Sequence, residues 1–189
     1  MIKSASTNSG RSLTVECAHG VRVEAVQFCP PRLMKIDEYS AFLDSWLLEI
    51  EKIGINVTDF PLDHLGYSAG SSEEYDKIKL EFLIAGKLFR EAMVSGRRVG
   101  IFELFKPLKY KDYLISAVEL IEPKAGELRR SGYEHAEFTI NSPFEDLVKK
   151  YPGLSWDTNN INRPDFPRLK IVLGNGTELK FNRSPILSL

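Results

Sequence analysis

Two of the three histidines lie in matching local sequence contexts, and this repeat constrains the fold more than any other feature. His64 and His135 each lie in a short apolar segment, and a serine follows each after seven residues, Ser71 and Ser142 respectively. Each serine opens a Ser-x-x-Glu sequence, in which the hydroxyl and the carboxylate satisfy backbone N–H groups at a helix start. A histidine-bearing strand followed by a helix start therefore occurs twice, which indicates an internal duplication.

The composition is that of an ordinary globular chain of 189 residues with a formal net charge of −1. A near-neutral chain offers no electrostatic attraction for nucleic acid. No apolar run approaches the roughly 20 residues that a membrane-spanning helix needs, and the N-terminus lacks the apolar core of a signal peptide. We therefore expect a cytoplasmic protein, in which Cys17 and Cys29 are free thiols rather than a disulfide.

The first 30 residues differ from the rest and are predicted to be an N-terminal extension, partly flexible. After a polar start, residues 12–16 and 21–26 alternate between apolar and polar, which predicts a hairpin with His19 in its turn. Residues 31–189 are predicted to form the main domain. It begins with a helix within residues 31–56, because apolar side chains recur at helical spacing up to Gly54.

Residues 61–123 and 132–183 each predict a βαβββ module. The first has a strand near 62–68, a helix near 72–85 and strands at 88–94, 98–105 and 113–121. The second has a strand at 133–140, a helix at 143–150, a ragged strand near 154–157 and strands at 169–173 and 177–181. The predicted fold class is α+β: two modules forming one curved, mostly antiparallel sheet around a cup, with an N-terminal helix and extension.

Strand alternation predicts which side chains face the cup. Glu119 lies mid-strand among apolar neighbours, where an ionised carboxylate needs a partner. Tyr133, His135 and Glu137 share one face of the following strand. Two imidazoles and one carboxylate, from three strands, can form a facial triad for a divalent cation. The alternative is a metal-free site, with His64 as a core histidine and His135 paired with a carboxylate.

Five segments together resemble the YecM family, small bacterial proteins similar in fold to the vicinal oxygen chelate (glyoxalase and bleomycin-resistance) superfamily. The resemblance runs from about residue 33 to the end. The segments are Asp63-His64, Gly96-Arg97-Arg98-x-x-Ile101-Phe102, Val118-Glu119-Leu120, Gly132-Tyr133-Glu134-His135-Ala136-Glu137 and Leu179-Lys180-Phe181. The resemblance implies one divalent metal (Zn, Ni, Mn or Fe(II)) with His64, Glu119 and His135 as ligands.

Lys180 is the main departure from the superfamily pattern. Superfamily members commonly have a fourth ligand, a glutamate, at this position on the eighth strand, whereas an ammonium cannot bind a metal. Three interpretations follow. Lys180 binds an anionic substrate group beside a three-ligand metal, or it is a desolvated base with a lowered pKa. Otherwise it replaces the cation and pairs with Glu119 or Glu137 in a metal-free pocket.

Three further residues are candidates for the chemistry. Glu137 is the general-base candidate, the alternative being that it only fixes the ring of His135. Arg98 begins a strand and is predicted to bind a substrate anion in the cup, the alternative being a solvated strand end. Tyr133 is predicted to line the pocket on the His135 face.

Three functions remain open from the sequence. The first is a metal-dependent small-molecule enzyme that chelates two neighbouring substrate oxygens and catalyses an isomerase, lyase or oxygenase step. The second is a metal-free protein of the same fold that binds or sequesters a small molecule. The third is an interaction module that docks through the N-terminal hairpin and helix. We expect a monomer or homodimer with no nucleic-acid or membrane partner.

Overall fold

The structure, a computed structural model, describes residues 36–189 apart from the side chain of Asp37. The predicted N-terminal hairpin, its His19 turn and the thiols of Cys17 and Cys29 lie outside the described residues. That residues 31–189 form one domain stays a prediction.

The predicted N-terminal helix is present as α1, Tyr39–Lys52, directly after a 3-10 turn at Ile36–Glu38. Its apolar stripe buries Leu43, Trp46 and Ile50. The chain leaves the helix through Gly54, whose φ of 74° is a left-handed conformation that glycine adopts without steric cost. The helical spacing in the sequence therefore corresponds to a helix that packs its apolar side on the domain.

The first module has all the predicted elements. These are β1 (Leu62–Ser68), α2 (Ser72–Ala85), β2 (Gly86–Val94), β3 (Arg97–Tyr110) and β4 (Tyr113–Ile121). Ser71 caps α2, because its hydroxyl accepts a hydrogen bond from the backbone N–H of Glu74. Ser95 and Gly96 both have positive φ, as a two-residue hairpin turn between β2 and β3 requires.

The second module is shorter than predicted. It consists of β5 (Gly132–Thr139), α3 (Phe144–Lys150), β6 (Arg168–Val172) and β7 (Glu178–Asn182), followed by a 3-10 turn at Ile186–Ser188. The ragged strand predicted near 154–157 is wrong, since only an isolated bridge joins Asp157 to Lys170. The predicted capping role of Ser142 is also wrong, because α3 begins after an extended Pro143 with no side-chain cap.

The seven strands form one sheet in the order β2-β3-β4-β1-β5-β7-β6. The pairs β1–β4 and β5–β7 are parallel and the other four are antiparallel. The predicted α+β fold with one curved, mostly antiparallel sheet is therefore confirmed. The two histidine-bearing strands, β1 and β5, are neighbours at the centre of this sheet.

The helices cover one face of the sheet. The core contains Trp46 of α1, Phe144 of α3 and Phe138 of the sheet, and a second cluster joins Phe82 of α2 to Phe102. Side chains alternate along a strand, so the histidines point to the opposite face, which forms the cup. Within residues 36–189 no helix has both the length and the apolar character needed to span a membrane.

Candidate metal centre

Strand register brings the three predicted ligands to adjacent positions on the cup face. Gly66 of β1 lies opposite Glu119 of β4 on one side and His135 of β5 on the other. His64 lies two residues before Gly66 and faces the same side, opposite Ala117 and Glu137. The three side chains therefore project into the same part of the cup from three neighbouring strands.

The side chains of His64, Glu119 and His135 meet there. One potential ligand atom from each lies within 4.8 Å of those of the other two. The Nε2 atom of His135 is 3.2 Å from Oε2 of Glu119, and both imidazoles are fully buried. A cation bonded to three such atoms at about 2.1 Å would hold them about 3–4 Å apart. The three side chains therefore meet in the cup as predicted, and their role as metal ligands stays a prediction.

A β-bulge next to each histidine orients its ring. The register between β1 and β5 shifts around Asp63, and it shifts again around Glu134. Each acidic residue directly precedes a histidine and turns to the same face. Oδ2 of Asp63 is 2.8 Å from Nδ1 of His64, and Oε1 of Glu134 is 3.4 Å from Nδ1 of His135.

These carboxylates favour one tautomer of each ring. A carboxylate can only accept a hydrogen bond, so in a neutral ring the contact with Asp63 or Glu134 favours the tautomer in which Nδ1 carries the proton. The lone pair of each neutral ring is then on Nε2 and points toward the centre of the site. Asp63 is itself held by hydrogen bonds from Nδ2 of Asn182 (3.1 Å) and the backbone N–H of Ile186 (3.0 Å). Partners of this kind orient the histidine ligands in metal sites.

Three buried polar atoms at the centre have no hydrogen-bond partner among residues 36–189. They are Nε2 of His64, Nε2 of His135 and Oε1 of Glu137. Buried polar atoms are almost always hydrogen-bonded, and the lone pairs of a neutral imidazole and a carboxylate repel each other at 3.2 Å. A cation between them would satisfy the two nitrogens and the Glu119 carboxylate together. The donor set of two imidazoles and one carboxylate therefore fits a divalent metal ion.

Glu137 is fully buried and surrounded by nitrogen atoms. Its Oε1 lies 3.6 Å from Nε2 of His64, 3.7 Å from Nε2 of His135, 3.8 Å from Nζ of Lys180 and 3.6 Å from a guanidinium nitrogen of Arg168. Burial alone would raise the pKa of the Glu137 carboxyl, but these positive neighbours outweigh it and lower the pKa. Glu137 is therefore a carboxylate able to accept a proton.

Lys180 lies directly across from Glu137 in the parallel β5–β7 pair. Its Nζ is 3.8 Å from Oε1 of Glu137 and 3.3 Å from Oε2 of Glu178. Among the described residues these are the two carboxylates within ion-pair distance, so of the two partners predicted for Lys180, Glu119 or Glu137, it is Glu137 that lies close enough to pair. The Lys180 ammonium therefore lies beside the triad, next to the carboxylates of Glu137 and Glu178.

The pKa shifts of Glu119 and His64 favour a negative carboxylate and a positive charge on the His64 ring. Burial raises the pKa of the Glu119 carboxyl, yet the imidazoles of His135 and His64 and the Lys180 ammonium hold it well below its usual range. Burial lowers the pKa of His64, but the carboxylates of Glu137 and Asp63 outweigh this and raise it. The centre therefore stabilises positive charge beside Nε2, as a cation site requires.

Glu134 is a site residue that the sequence analysis did not identify. Its carboxylate accepts hydrogen bonds from Ser68 and Arg129, and it contacts the His135 ring. Burial opposes its ionisation, but these partners lower the pKa of Glu134 to about 2. Asp63, Gly66 and Arg168 were also missed. The available signal was an acidic residue directly before each histidine, in Asp63-His64 and Glu134-His135.

The predicted substrate-binding role of Arg98 is wrong. Arg98 shares a face of β3 with Phe102, which packs under α2 rather than in the cup. Its guanidinium binds Glu122 (2.7 Å) and Asp76 (2.6 Å) and lies 4.4 Å from the ring centre of Tyr75. Arg98 therefore joins α2 to the sheet on the helix side.

Tyr133 also faces the helices, against the prediction that it lines the pocket. Its ring centre lies 5.1 Å from that of Tyr67 and 5.6 Å from that of Phe42. The physical reason is the bulge at Glu134, which interrupts the alternation of β5 between Tyr133 and His135.

Two cavities open above the triad, and Glu119 lines both. The first, of about 550 Å³, is also lined by Lys180, Glu134 and Glu178. The second, of about 680 Å³, has more apolar walls, including Ile101 and Ile186. Each volume is in the range of small-molecule sites.

The comparisons with known proteins identify a family. A model of the YecM protein family matches residues 33–181. Protein YecM of Escherichia coli K12 is 27% identical over 96 residues, which are 51% of this chain and 51% of that protein. An uncharacterized protein of Haemophilus influenzae is 26% identical over 90 residues, 48% of this chain and 47% of that protein. The chain thus spans about half the length of these curated relatives.

One solved structure, a structural-genomics structure of Protein EC4020, has a similar fold. Its TM-score is 0.68 at 23% identity, and the match covers 81% of this chain and 87% of that one. Since the family model covers most of the chain, including all three residues of the triad, the protein belongs to the YecM family.

Proposed function

We propose that the protein is a divalent-metal-dependent small-molecule enzyme of the vicinal oxygen chelate type, with His64, Glu119 and His135 as the metal ligands. The reaction would be an isomerase, lyase or oxygenase step on a substrate bound through two neighbouring oxygens. The observation that carries the proposal is the pair of buried Nε2 atoms, which lack hydrogen-bond partners among the described residues and face a carboxylate.

The protein's own side chains prepare this site in two ways. Asp63 and Glu134 hold the Nδ1 protons of the two histidines, so that each Nε2 presents a lone pair. When bound, a divalent metal ion supplies Lewis-acid polarisation of substrate oxygens. Burial of both rings keeps water away from the two nitrogens and maintains their orientation.

Glu137 is proposed to move a proton to or from the substrate. Its unpaired Oε1 is the proton acceptor, and the hydrogen bond from Nδ2 of Asn182 to Oε2 fixes the carboxylate at 3.3 Å. The positive groups of Lys180 and Arg168 keep it ionised between turnovers. Lys180 lines the cavity, so its ammonium is proposed to bind an anionic group of the substrate.

A second candidate function is metal-free binding of a small molecule. The observation in its favour is the Lys180 ammonium 3.8 Å from Glu137, because a nearby positive charge disfavours a second cation. In that case Lys180→Met would remove one of the positive neighbours of the Glu137 carboxylate without any gain in metal affinity. In the metal-dependent case the same substitution removes a repulsive charge, so the affinity for Zn²⁺ should rise.

The metal proposal is tested by elemental analysis of the full chain purified without chelators, then titrated with Zn²⁺, Ni²⁺, Mn²⁺ and Fe²⁺. We expect about one metal ion per chain. The variants His64→Ala and Glu119→Gln should lose it. Glu103→Gln is the matched control, because Glu103 occupies the same sheet face on β3 and pairs with the exposed Lys87.

A metal content below about 0.1 per chain that does not rise with any of the four ions would overturn the proposal. Equal loss of metal in Glu103→Gln and Glu119→Gln would also overturn it, since the effect would then not be specific to the triad. Ligand binding by the metal-free protein would leave the second function in its place.

A further inference from the structure

Positive side chains dominate the walls of the 550 Å³ cavity above the triad. Seven lysine and arginine residues line it, against three glutamates. The chain as a whole has a formal net charge of −1, so this excess of positive charge is local. A concave site lined by one sign of charge concentrates ligands of the opposite sign.

Some of these cations already have carboxylate partners. Lys170 binds Glu178 at 2.7 Å, Arg129 binds Glu134 at 2.7 Å, and Arg97 lies 3.4 Å from Glu127. These pairs fix the walls of the cavity and leave little positive charge for a ligand.

Two cations at the mouth of the cavity have no such carboxylate partner among the described residues. Lys124 and Arg163 line the cavity, are exposed, and have no carboxylate within 4.0 Å among the described residues. Arg163 lies in the loop before β6 and lines the second cavity as well. Their charges are therefore available to a molecule that enters the cup.

A third guanidinium lies deeper in the cavity. Arg168, at the start of β6, has a buried Nε with no hydrogen-bond partner among residues 36–189. Another of its nitrogens is 3.6 Å from Oε1 of Glu137, which is longer than a hydrogen bond. An arginine presents its donors as a planar fork suited to the two oxygens of a carboxylate or phosphate.

We infer that the substrate is a small organic anion whose carboxylate or phosphate group, proposed above to bind Lys180, also binds the cations Lys124, Arg163 and Arg168 of this cavity. This inference rests on the proposed function, because it names the substrate class of the same site. The anion would then lie on the side of the cup toward β6, and the rest of the molecule would extend toward Glu119, which lines both cavities.

The experiment is a titration of the full chain, dialysed free of unbound metal, with inorganic phosphate, malonate and the neutral malonamide. Binding is followed by calorimetry and by amide chemical shifts. The test variant is Lys124→Gln combined with Arg163→Gln, both at exposed positions. The matched control is Lys149→Gln combined with Lys150→Gln, which removes the same two charges from exposed positions on α3.

We expect phosphate or malonate to bind and malonamide not to bind. The double variant at the mouth should weaken binding of the anion about tenfold or more, since it removes two charge-assisted contacts. The control on α3 should bind as the parent protein does. Tighter binding of phosphate than of malonate, or the reverse, would show whether the site selects a phosphate or a carboxylate group.

The inference is overturned if neither anion binds, if malonamide binds as well as malonate, or if the mouth and α3 variants lose affinity equally. Metal content measured on the same samples separates this result from the proposed function. Metal without anion binding overturns the substrate class alone. Anion binding without metal supports the anion site and overturns the metal proposal.

Discussion

Gly66 lies directly opposite His135 in the β1–β5 pair, and the absence of a side chain at Gly66 provides the space for the imidazole. A Cβ atom at this position would lie 2.0 Å from Cε1 and 2.3 Å from Nε2 of His135. No real side chains approach so closely, so the ring occupies a volume that only glycine leaves open.

Gly66→Ala should therefore displace the His135 ring and reduce the metal content of the protein. Overpacking of a buried site also costs about 1–3 kcal/mol of folding free energy. The two effects can be measured by elemental analysis and by urea unfolding.

Gly153→Ala is the matched control for this substitution, because a Cβ at Gly153 would have nothing within 4 Å. The prediction would be contradicted if Gly66→Ala kept its full metal content and were as stable as Gly153→Ala. The His135 ring would then not depend on the space left by Gly66.

Asp63→Asn should weaken metal binding without unfolding the protein. An amide can offer its NH₂ group instead of an oxygen to His64, so the proton on Nδ1 is no longer specified. Loss of such a partner typically costs 10–100-fold in metal affinity. Competition with a Zn²⁺-binding dye measures this change.

The control for Asp63→Asn is Asp59→Asn, at an exposed position just before β1. Retained Zn²⁺ affinity in Asp63→Asn, equal to that of the control, would show that the tautomer of His64 is determined by another group.

Glu137→Gln should destabilise the protein, and a second substitution at Lys180 should partly restore the stability. Removing the buried carboxylate leaves the Lys180 ammonium and the Arg168 guanidinium with one partner fewer. Breaking a buried ion pair on one side costs about 3–5 kcal/mol. Since the side chain of Arg168 is partly exposed, we expect the lower end of that range or below.

A double-mutant cycle measures this coupling by urea unfolding of Glu137→Gln, Lys180→Met and the double variant. The double variant should be more stable than the sum of the two single losses implies. Strict additivity would mean that the 3.8 Å separation of the two groups has no energetic consequence.

The ion pair of Glu122 with Arg98 should make a pH-dependent contribution to stability. The Arg98 guanidinium lowers the pKa of the Glu122 carboxyl to about 2, although burial opposes this. The ordinary value, 4.5, applies in the unfolded chain. A carboxyl with a depressed pKa in the folded state stabilises the protein above pH 4.5, and this contribution is lost as the pH falls toward 2.

Glu122→Gln should therefore lower the free energy of unfolding by about 1–2 kcal/mol at neutral pH and by less at about pH 3. Glu51→Gln, at an exposed position on α1, is the control for the general effect of removing a carboxylate. The assignment fails if the loss for Glu122→Gln is as large at pH 3 as at pH 7.

Much of the fold and the three members of the triad could be predicted from the sequence, because they depend on short-range patterns. Helical spacing identified α1, and turn residues such as Ser95-Gly96 identified the hairpins. Period-two alternation placed His135 and Glu137 on one face of their strand, and the set of His64, Glu119 and His135 was also implied by the resemblance to the YecM family. The duplicated order of elements then implied that these strands lie close together.

The orientation of other side chains depended on strand register. Bulges at Asp63 and Glu134 let two consecutive residues face the cup, which strict alternation does not allow. The second bulge turns Tyr133 to the helices, and the pairing of β5 with β7 brings Glu137 opposite Lys180. Arg98 was misassigned because Glu122 and Asp76, its partners, are distant along the chain. Local periodicity sets how side chains alternate, whereas hydrogen bonds between distant strands decide where that alternation is interrupted and which charges become neighbours.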